Sequence, residues 1–224
     1  YLTGNPQITF FKVVYRRHTN FAIEAIEQTV NGTAALGKKF SVTVARNGDL
    51  LSRVYLEIEW SPVDPSGNTQ CPTGGFDLID YVEVEIGGQC IDKQYGEWMS
   101  IWCDLTHTTA QKSMLNRMFL GPSQNIPVTA NPVSQKTYLP LQFWFCRNPG
   151  LALPLIALQY HEVKLKVQMA CCQKTNCCTN DCICNLCVYC DYIFLDTDER
   201  RRFAQVSHEY LIEQVQYSND ITLG

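Results

Sequence analysis

The sequence predicts an all-β protein: an eight-stranded antiparallel jelly-roll sandwich with one or two short helices in its loops. Short runs of alternating apolar and polar residues recur from residue 8 to residue 217, and turn residues separate them. About eight such runs stand against two segments with helical character. The length of 224 residues fits one domain, because β-sandwiches of roughly 200–250 residues commonly form a single domain.

The first 20 residues are predicted to form an N-terminal arm. The arm contains one strand-like run, Ile8–Val14, after the turn signal Gly4-Asn5-Pro6. It ends in the short basic sequence Tyr15-Arg16-Arg17-His18. The simplest interpretation of the two arginines is a solvated surface, and a contact with an acidic neighbour is the alternative.

Two strands are predicted at residues 40–46 and 51–60. Residues 21–30 precede them, with an apolar spacing that fits a strand and a helix equally, and Asn31-Gly32 predicts a turn. Both later runs alternate, and the second has one apolar face and one mostly charged face. The turn signal Asn47-Gly48-Asp49 between them predicts a hairpin with one solvated face.

The middle of the chain is predicted to contain a loop, a helical turn, a strand and a helix. Residues 61–75 are polar and rich in Pro and Gly, Phe76–Asp80 fits a helical turn, and Val82–Ile86 fits a strand that Gly87-Gly88 ends. Large apolar residues at helical spacing then predict one short amphipathic helix. They are Tyr95, Trp98, Met99, Trp102 and Leu105. Core packing is the favoured role for this stripe, and ligand binding is the less favoured one.

The last part of the chain is predicted to return to strands after a loop at Pro122–Pro132. The predicted strands are Tyr138–Cys146, Glu162–Met169, Tyr189–Leu195 and Tyr210–Tyr217. Pro140 fits best near the start of its strand or on a sheet edge, because proline cannot donate to a ladder. Asp196–Phe203 is predicted to be a short helix, since Asp196 and Glu199 have the spacing of a capping box.

Composition argues against nucleic acid as a direct partner and against membrane insertion. The formal net charge is −4, so there is no basic excess. The longest uncharged apolar run, Leu151–Leu158, is interrupted by Pro154 and is far shorter than the ~18 residues of a membrane-spanning helix. The chain begins with Tyr1 instead of Met, and we expect it to be a piece of a longer polypeptide.

No recognisable catalytic motif is present, so the sequence predicts neither an enzyme nor a cofactor. It lacks the glycine-rich nucleotide-binding signatures and the Gly-x-Ser-x-Gly elbow. Neither His161-Glu162 nor His208-Glu209 continues to a second histidine four residues on. Adjacent strand residues also point to opposite faces, which is poor geometry for a catalytic pair. No residue is therefore assigned a catalytic role.

Eight cysteines crowd into one polar segment and are its candidate cross-link or metal residues. They are Cys171, Cys172, Cys177, Cys178, Cys182, Cys184, Cys187 and Cys190. Disulfides are favoured, because they would staple a segment with almost no apolar content. Zinc comes second, since Cys184 and Cys187 with Cys182 and Cys177 or Cys178 have the spacing of structural sites, but residues 187–190 fit a strand instead of the usual turn. Free thiols come third.

The four remaining cysteines are dispersed along the chain. They are Cys71, Cys90, Cys103 and Cys146. Because isolated free cysteines behave as small apolar residues, we expect these four to be buried.

Several long blocks of this sequence resemble the major capsid protein of nucleocytoplasmic large DNA viruses. The blocks are Tyr1–Lys12, Tyr15–Glu24, Arg46–Leu50, Glu85–Gln89, Ile91–Lys93, Pro149–Lys164, Asp191–Thr197, Glu199-Arg200, Arg202–Gln205 and His208–Glu213. The resemblance covers nearly the whole chain and keeps the order of the blocks. The cysteine-rich segment lies outside this pattern, so the resemblance implies no role for it.

The resemblance implies two consecutive jelly rolls in the parent protein, of which this chain is the first. Residues 1–20 would be the arm, 21–212 the first jelly roll, and 213–224 the start of the connection to the second. The parent would form homotrimeric pseudo-hexagonal capsomers of an icosahedral shell over an internal membrane, without inserting into it.

The implied partners are the chain itself and minor capsid proteins, and the implied location is the virion, after assembly in the host cytoplasm. The alternatives are a jelly-roll assembly scaffold or minor capsid component and, more distantly, a carbohydrate- or zinc-binding module.

Overall fold

The computed structural model describes residues 19–60, 75–119, 135–171, 183–205 and 209–218. These residues form ten strands: β1 (Phe21–Gln28), β2 (Val30–Gly32), β3 (Lys39–Thr43), β4 (Leu50–Trp60), β5 (Ile79–Ile86), β6 (Gln89–Tyr95), β7 (Gln135–Pro140), β8 (Leu153–Pro154), β9 (Val163–Met169) and β10 (Ile183–Leu195). Their α-helices are α1 (Gly96–Thr106), α2 (Thr109–Met118), α3 (Trp144–Arg147) and α4 (Thr197–Gln205). Two 3-10 turns lie at Gly75–Leu78 and Pro149–Leu151.

The strands form two antiparallel sheets. Sheet 1 has the order β1-β10-β4-β7, with β8 paired to β4, and sheet 2 has the order β2-β3-β9-β5-β6. When the short strands β2 and β8 are set aside, eight strands remain. Numbered along the chain, they lie in the orders 1-8-3-6 and 2-7-4-5. Sheets that interleave early and late strands in this way form a jelly roll, so the predicted fold class is confirmed.

The core lies between the two sheets because the strands alternate. In β4, Val54, Leu56 and Ile58 are at most 1% exposed, whereas Arg53 on the opposite face is exposed. In β9 the odd-numbered residues from Val163 to Met169 are buried in the same manner. Burial of one aliphatic side chain stabilises a fold by about 1.5–3 kcal/mol. These inward rows therefore hold the two sheets together.

The predicted hairpin between residues 40–46 and 51–60 is wrong, although both strands exist. β3 pairs with β2 and β9, whereas β4 pairs with β10, β7 and β8. The residues between β3 and β4 therefore cross from one sheet to the other. Asn31-Gly32 is likewise not a turn, since both residues lie in β2 and pair with β3.

Asp49 fixes the crossing between the sheets. Its carboxylate oxygen Oδ2 accepts hydrogen bonds from the Leu195 N–H at 2.7 Å and from Arg200 Nε at 2.9 Å. Its own N–H donates to the Ile193 carbonyl at 3.1 Å. Gly48 packs so closely that a Cβ there would stand 2.7 Å from Tyr192 Cβ. The Asn-Gly-Asp sequence thus serves a sheet-to-sheet corner and not a two-strand turn.

The predicted strand Tyr138–Cys146 is only partly correct. β7 ends at Pro140, and Trp144–Arg147 forms the single helical turn α3. Pro140 does lie on a sheet edge, as expected, because β7 is the last strand of sheet 1 in the described part of the chain. Trp144 and Phe145 are fully buried, so a long apolar run here fills the end of the core as a turn instead of a strand.

The helices are more numerous than predicted. The amphipathic helix is confirmed as α1, with Met99 and Cys103 buried, but Leu105 is 76% exposed and does not pack in the core. The following helix α2 was not predicted, although Thr108 and Gln111 form a capping box at its start. The helical turn at Phe76 and the helix after Asp196 are confirmed as Gly75–Leu78 and α4. In the part of the chain that the structure describes, no helix is long and apolar enough to span a membrane.

Some sequence predictions fall outside the described residues. These are the arm up to residue 18, most of the loop at 61–75, the loop at Pro122–Pro132 and the central part of the cysteine-rich segment. The predicted last strand, Tyr210–Tyr217, is described and is wrong, because residues 209–218 carry no strand. We refer to residues 209–218 as the C-terminal segment.

Candidate functional site

The C-terminal segment lies along the outer edge of β6, which is the last strand of sheet 2 among the described strands. Gln214 Nε2 donates to the Ile91 carbonyl, and the Val215 N–H lies near enough to the Asp92 carboxylate to act against the rise of its pKa. The rings of Tyr217 and Tyr95 approach to 4.8 Å between centroids. These contacts advance in the same direction on both partners, so the segment runs parallel to β6 and covers an edge that would otherwise be open to another strand.

A groove of about 820 Å³ opens between the C-terminal segment, the end of β6 and the start of α1. We call it the edge groove. Its apolar and aromatic lining is supplied by Ile79, Tyr95, Trp98, Ile101 and Tyr217. Its charged lining consists of Asp77, Asp80, Glu97 and Lys93. The lining therefore includes three carboxylates and one ammonium group, and Lys93 Nζ also lies 3.3 Å from Glu83 Oε1.

A buried polar network lies beside the edge groove. Gln94 Nε2 donates to Asp92 Oδ2 at 3.0 Å and to the Gln142 carbonyl at 3.1 Å. Arg147 Nε donates to the same carbonyl at 3.0 Å, and Arg147 Nη1 donates to Glu213 Oε2 at 3.2 Å. Burial raises the pKa of the Asp92 carboxyl, against the opposing effects of these hydrogen bonds and of Arg147. The network ties the C-terminal segment to the end of the sandwich.

The outer face of sheet 1 carries an aromatic and charged surface. Tyr55 and Tyr189 stack across adjacent strands, with centroids 5.4 Å apart and an interplanar angle of 16°. Next to them, Lys136 Nζ donates to Glu57 Oε1 at 2.7 Å. This hydrogen bond from Lys136 lowers the pKa of Glu57 below its ordinary value. Aromatic rings and ion pairs of this kind suit contacts with another macromolecule.

A cleft of about 580 Å³ separates this outer face from helices α1 and α2. Trp102, His107 and Met118 line it on the helical side, and Arg53 and Asp191 line it on the sheet side. Burial raises the pKa of the Asp191 carboxyl, and the neighbouring Arg53 opposes the rise. The cleft combines both signs of charge, so its field does not select one sign of ligand.

The outer face of sheet 2 is a ladder of ion pairs. Lys166 bridges to Glu85 at 2.9 Å, and both Lys39 and Lys93 approach Glu83. Lys93 also lies 3.8 Å from the centroid of the Tyr81 ring. Exposed pairs of this kind contribute at most about 1 kcal/mol each to stability. Their regular alternation makes this face solvated and mixed in charge.

The two histidines in the described part of the chain make local packing contacts. His107 Nδ1 lies 3.1 Å from the Cys103 carbonyl, and the His161 ring packs against Gly87. Among the residues that the structure describes, no group of three or more His, Cys, Asp or Glu side chains is placed to hold a metal ion. The features of the described surface are therefore grooves, aromatic patches and ion pairs.

The comparison with known protein families is decisive. Residues 9–196 match the family model described as "Major capsid protein N-terminus". The chain belongs to this family.

Individual proteins that are similar to this chain are also major capsid proteins. The major capsid protein of Pyramimonas orientalis virus is 53% identical over 223 residues, which are 98% of this chain and 56% of that protein. The major capsid protein of Paramecium bursaria Chlorella virus 1 is 46% identical and is matched over 99% of this chain and 51% of its own length. A solved quasi-atomic model of the PBCV-1 virus capsid is similar to this fold with a TM-score of 0.75 and 44% identity, over 93% of this chain and 50% of that one. The chain spans about half the length of the curated relatives it matches.

In this member of the major capsid protein family, the structure separates the cysteine cluster. Cys190 points into the core and is fully buried, Cys187 is half-buried on the outer face of β10, and Cys171 is exposed. All three carry free thiols in the structure. Residues 172–182 lie outside the described part, so the cross-link or zinc prediction for that stretch stays a prediction.

The dispersed cysteines follow the sequence prediction only in part. Cys103 is buried as expected, Cys146 is half-buried, and Cys90 is exposed, so the prediction for Cys90 is wrong. Cys71 lies outside the described residues. Cys90 sits on β6 next to the edge that the C-terminal segment covers, a position that single-sequence periodicity does not reveal.

Sequence reasoning also missed the edge groove and its polar network. Asp77, Glu97, Arg147 and Glu213 lie far apart in the chain, and no motif connects them. Only the topology, which brings the C-terminal segment beside β6, places them together.

Proposed function

We propose that this chain is the first jelly roll of a major capsid protein and that its parent is a structural subunit of an icosahedral viral capsid. One observation carries the proposal: the family match over residues 9–196 coincides with a jelly-roll strand order and with the 44% identical PBCV-1 capsid fold. A structural role, and not catalysis, suits a chain whose described surface consists of ion-pair ladders, aromatic patches and grooves.

The proposed assembly is a homotrimer that forms pseudo-hexagonal capsomers of the shell. A rigid sandwich with mixed-charge faces can repeat one set of contacts under symmetry. Large shells are held by many modest interfaces of this type. We propose that residues 1–20 form an arm, 21–212 the first jelly roll, and 213–224 the start of a connection to a second roll.

The proposed partners are further copies of the chain and minor capsid proteins. The proposed location is the virion, above an internal membrane that the protein does not enter, after assembly in the host cytoplasm. The net charge of −4 supports the absence of direct contact with nucleic acid.

The decisive experiment measures the oligomeric mass of the full-length parent polypeptide and its copy number in purified particles. A trimer that is the most abundant particle protein, and that forms flat hexagonal arrays, is the expected result. A low copy number in particles would favour a minor component or a scaffold. A stable monomer that is absent from particles would overturn the proposal.

A further inference from the structure

The edge groove has the chemistry of a receptor for a cationic side chain. Asp77 and Glu97 on its lining are exposed, and Asp80 on the same lining is half-buried. The aromatic rings of Tyr95, Trp98 and Tyr217 form part of its wall. Carboxylates beside aromatic faces attract guanidinium groups, which form charge-assisted hydrogen bonds and also stack on rings.

Buried polar atoms give a second sign that the groove is adapted to a polar occupant. Gln94 lines the groove and is only 1% exposed, and its Oε1 has no hydrogen-bond partner among the described residues. Trp98 also lines it, and no acceptor for its indole Nε1–H lies in the part of the chain that the structure describes. Buried polar groups without partners are rare in folded proteins, because each costs free energy. Both atoms are buried. A turn of these two side chains toward the groove would offer one acceptor and one donor to an occupant with both N–H donors and backbone carbonyls.

Half-exposed apolar residues indicate that the occupant is a segment of protein chain and not a free ion. Ile101 is 50% exposed and Tyr217 is 58% exposed on the two walls of the groove. An extended segment that carries both arginine and aromatic residues would cover these groups and pair with the carboxylates.

We propose that the edge groove binds the basic arm sequence Tyr15-Arg16-Arg17-His18 of a second copy of this chain. The inference rests on the proposed function, because it requires copies that assemble. The arm sequence supplies two guanidinium groups, a histidine and an aromatic ring within four residues. This composition is the complement of three carboxylates and three aromatic rings.

The distance between the arm and the groove excludes the arm of the same copy as the occupant. The arm leads into Phe21, which pairs with Leu195, while the nearby Ile193 pairs with Leu50 at the start of β4. Sheet 2 meets β1 near Gln28, the end of β1 away from Phe21, because the Ala45 N–H just after Thr43 donates to Gln28 Oε1. Thr43 and the Ile86 end of β5 lie together across β9, whereas the groove lies at Ile79, at the opposite end of β5. The eight residues of β5 span about 25 Å at 3.3 Å per residue. Five residues from Phe21 back to Arg16 reach at most about 18 Å, so the arm cannot return to its own groove.

The test is a charge exchange between the arm and the groove in the full-length parent polypeptide. The double variant Arg16→Glu with Arg17→Glu reverses the charge of the arm. The double variant Asp77→Lys with Glu97→Lys reverses the charge of two groove carboxylates. Each double variant is expected to raise the dissociation constant of self-association by about tenfold or more, as close charge pairs do at interfaces. The combined fourfold variant is expected to return to within about threefold of the unmodified protein, since reversed charges attract again. Sedimentation analysis measures the constants, and thermal melting verifies that each variant folds.

A matched control reverses two exposed carboxylates outside the groove, Asp104→Lys with Asp198→Lys, whose side chains are 72% and 86% exposed. This control should leave self-association unchanged. If arm and groove reversals have no effect, or if the fourfold variant fails to restore association, the inference is wrong while the shell-subunit role stands. A monomeric unmodified parent would instead overturn the proposed function itself.

A photo-cross-linking residue in place of Ile101 gives an independent readout. In assembled protein it is expected to join two copies through the peptide that contains Tyr15. A cross-link within one copy, or to a peptide beyond residue 224, would show that another segment fills the groove and would overturn the proposal.

Discussion

The guanidinium of Arg147 stacks on the indole of Trp102, with Arg147 Cζ 3.7 Å from the ring centroid. The same side chain donates to the Gln142 carbonyl and to the Glu213 carboxylate. Arg147 therefore connects helix α1, the turn after β7 and the C-terminal segment. One residue in a four-residue helix thus organises the end of the sandwich where the edge groove lies.

Replacement of Arg147 by Ala is expected to lower the free energy of unfolding by about 2–3 kcal/mol, because charged hydrogen bonds and a cation–π contact are lost. Arg147→Lys should recover only part of this loss, since lysine keeps the charge but not the planar fork. Urea denaturation followed by tryptophan fluorescence measures both values. Arg201→Ala is the control, because the Arg201 side chain is 72% exposed. Equal stability of the Ala and unmodified proteins would contradict the assigned role.

Gly96 is required at the start of α1 by close backbone contacts. A Cβ at this position would stand 2.2 Å from the Ile79 carbonyl oxygen and 2.3 Å from that of Phe76. Since backbone cannot move aside as a flexible side chain can, Gly96→Ala is expected to destabilise the fold by about 3 kcal/mol or more. Gly150→Ala is the control, because its nearest contact is the Asn148 side chain at 3.4 Å. Similar melting temperatures for the two variants would refute this argument.

The sequence predicts local periodicity well and long-range topology poorly. The alternation in residues 51–60 and 162–169 identified strands that the structure confirms, because burial on one face leaves a direct mark on composition. The residue pattern of a strand does not show which other strand it pairs with. Asn47-Gly48-Asp49 therefore suggested a hairpin, whereas the jelly roll uses these residues to change sheets.

The candidate site could not be predicted because it is assembled from separate segments. Residues 209–218 alternate as a strand would, yet they pack beside β6 without entering its ladder. The apolar run 141–147 predicts a strand, but the structure has a helical turn there. Residues that are buried on all sides at the end of the core show no alternation, so periodicity cannot separate a strand from a helical turn. Family resemblance, in contrast, was carried by long ordered blocks and is confirmed.

Asp49 is predicted to be a stability determinant of the corner between the sheets. Asp49→Ala leaves the Leu195 N–H without its acceptor and removes the partner of Arg200. A fully buried donor without a partner costs about 1–3 kcal/mol. Because this hydrogen bond is part-buried, a loss near the lower end of that range is expected in the free energy of unfolding. Asp49→Asn retains one acceptor oxygen and should lose less. Asp198→Ala, at an exposed position, should change stability little. Chemical denaturation measures the stability of the three variants. An Asp49→Ala protein as stable as the Asp198→Ala protein would contradict the predicted role of Asp49 at the corner.

Asp92 is predicted to oppose folding at neutral pH. Burial raises its pKa above the ordinary value of 3.8, so the folded state holds this proton at a pH where the unfolded state has released it. Its contribution to stability is therefore most favourable below pH 3.8 and is lost as the pH rises through the raised pKa. Asp92→Asn should be at least as stable as the unmodified protein at pH 7, and this advantage should shrink as the pH falls. Unfolding titrations from pH 7 to pH 4 test this, and a difference that grows on acidification would have the wrong sign.

The cysteines are predicted to fall into two classes of reactivity. Burial raises the pKa of the Cys103 thiol to about 11 and also raises that of Cys190, and both side chains are at most 4% exposed. Because the thiolate is the reactive species, these two should resist alkylation at pH 8 until the protein unfolds. Cys90 is exposed, so it should be labelled faster than these two, although partial burial and neighbouring carboxylates also raise the pKa of its thiol. Rapid labelling of Cys190 in folded protein would contradict its place in the core.

The segment from Cys171 to Cys190 is predicted to be tied covalently or by metal. Because Cys171, Cys187 and Cys190 carry free thiols in the structure, the cysteines at 172–184 would form these ties. A segment of this polar composition can bury too little apolar surface to fix one conformation by packing alone. Disulfides are favoured because a virion encounters an oxidising medium, and each would contribute ~2–4 kcal/mol in good geometry. Reduction should leave the sandwich folded, since its cohesion comes from the buried rows of β4, β5 and β9. Thiol counting on denatured, metal-stripped particles measures the outcome. If every cysteine of this segment is alkylated without prior reduction and no zinc is released, the thiols are free and the prediction is wrong.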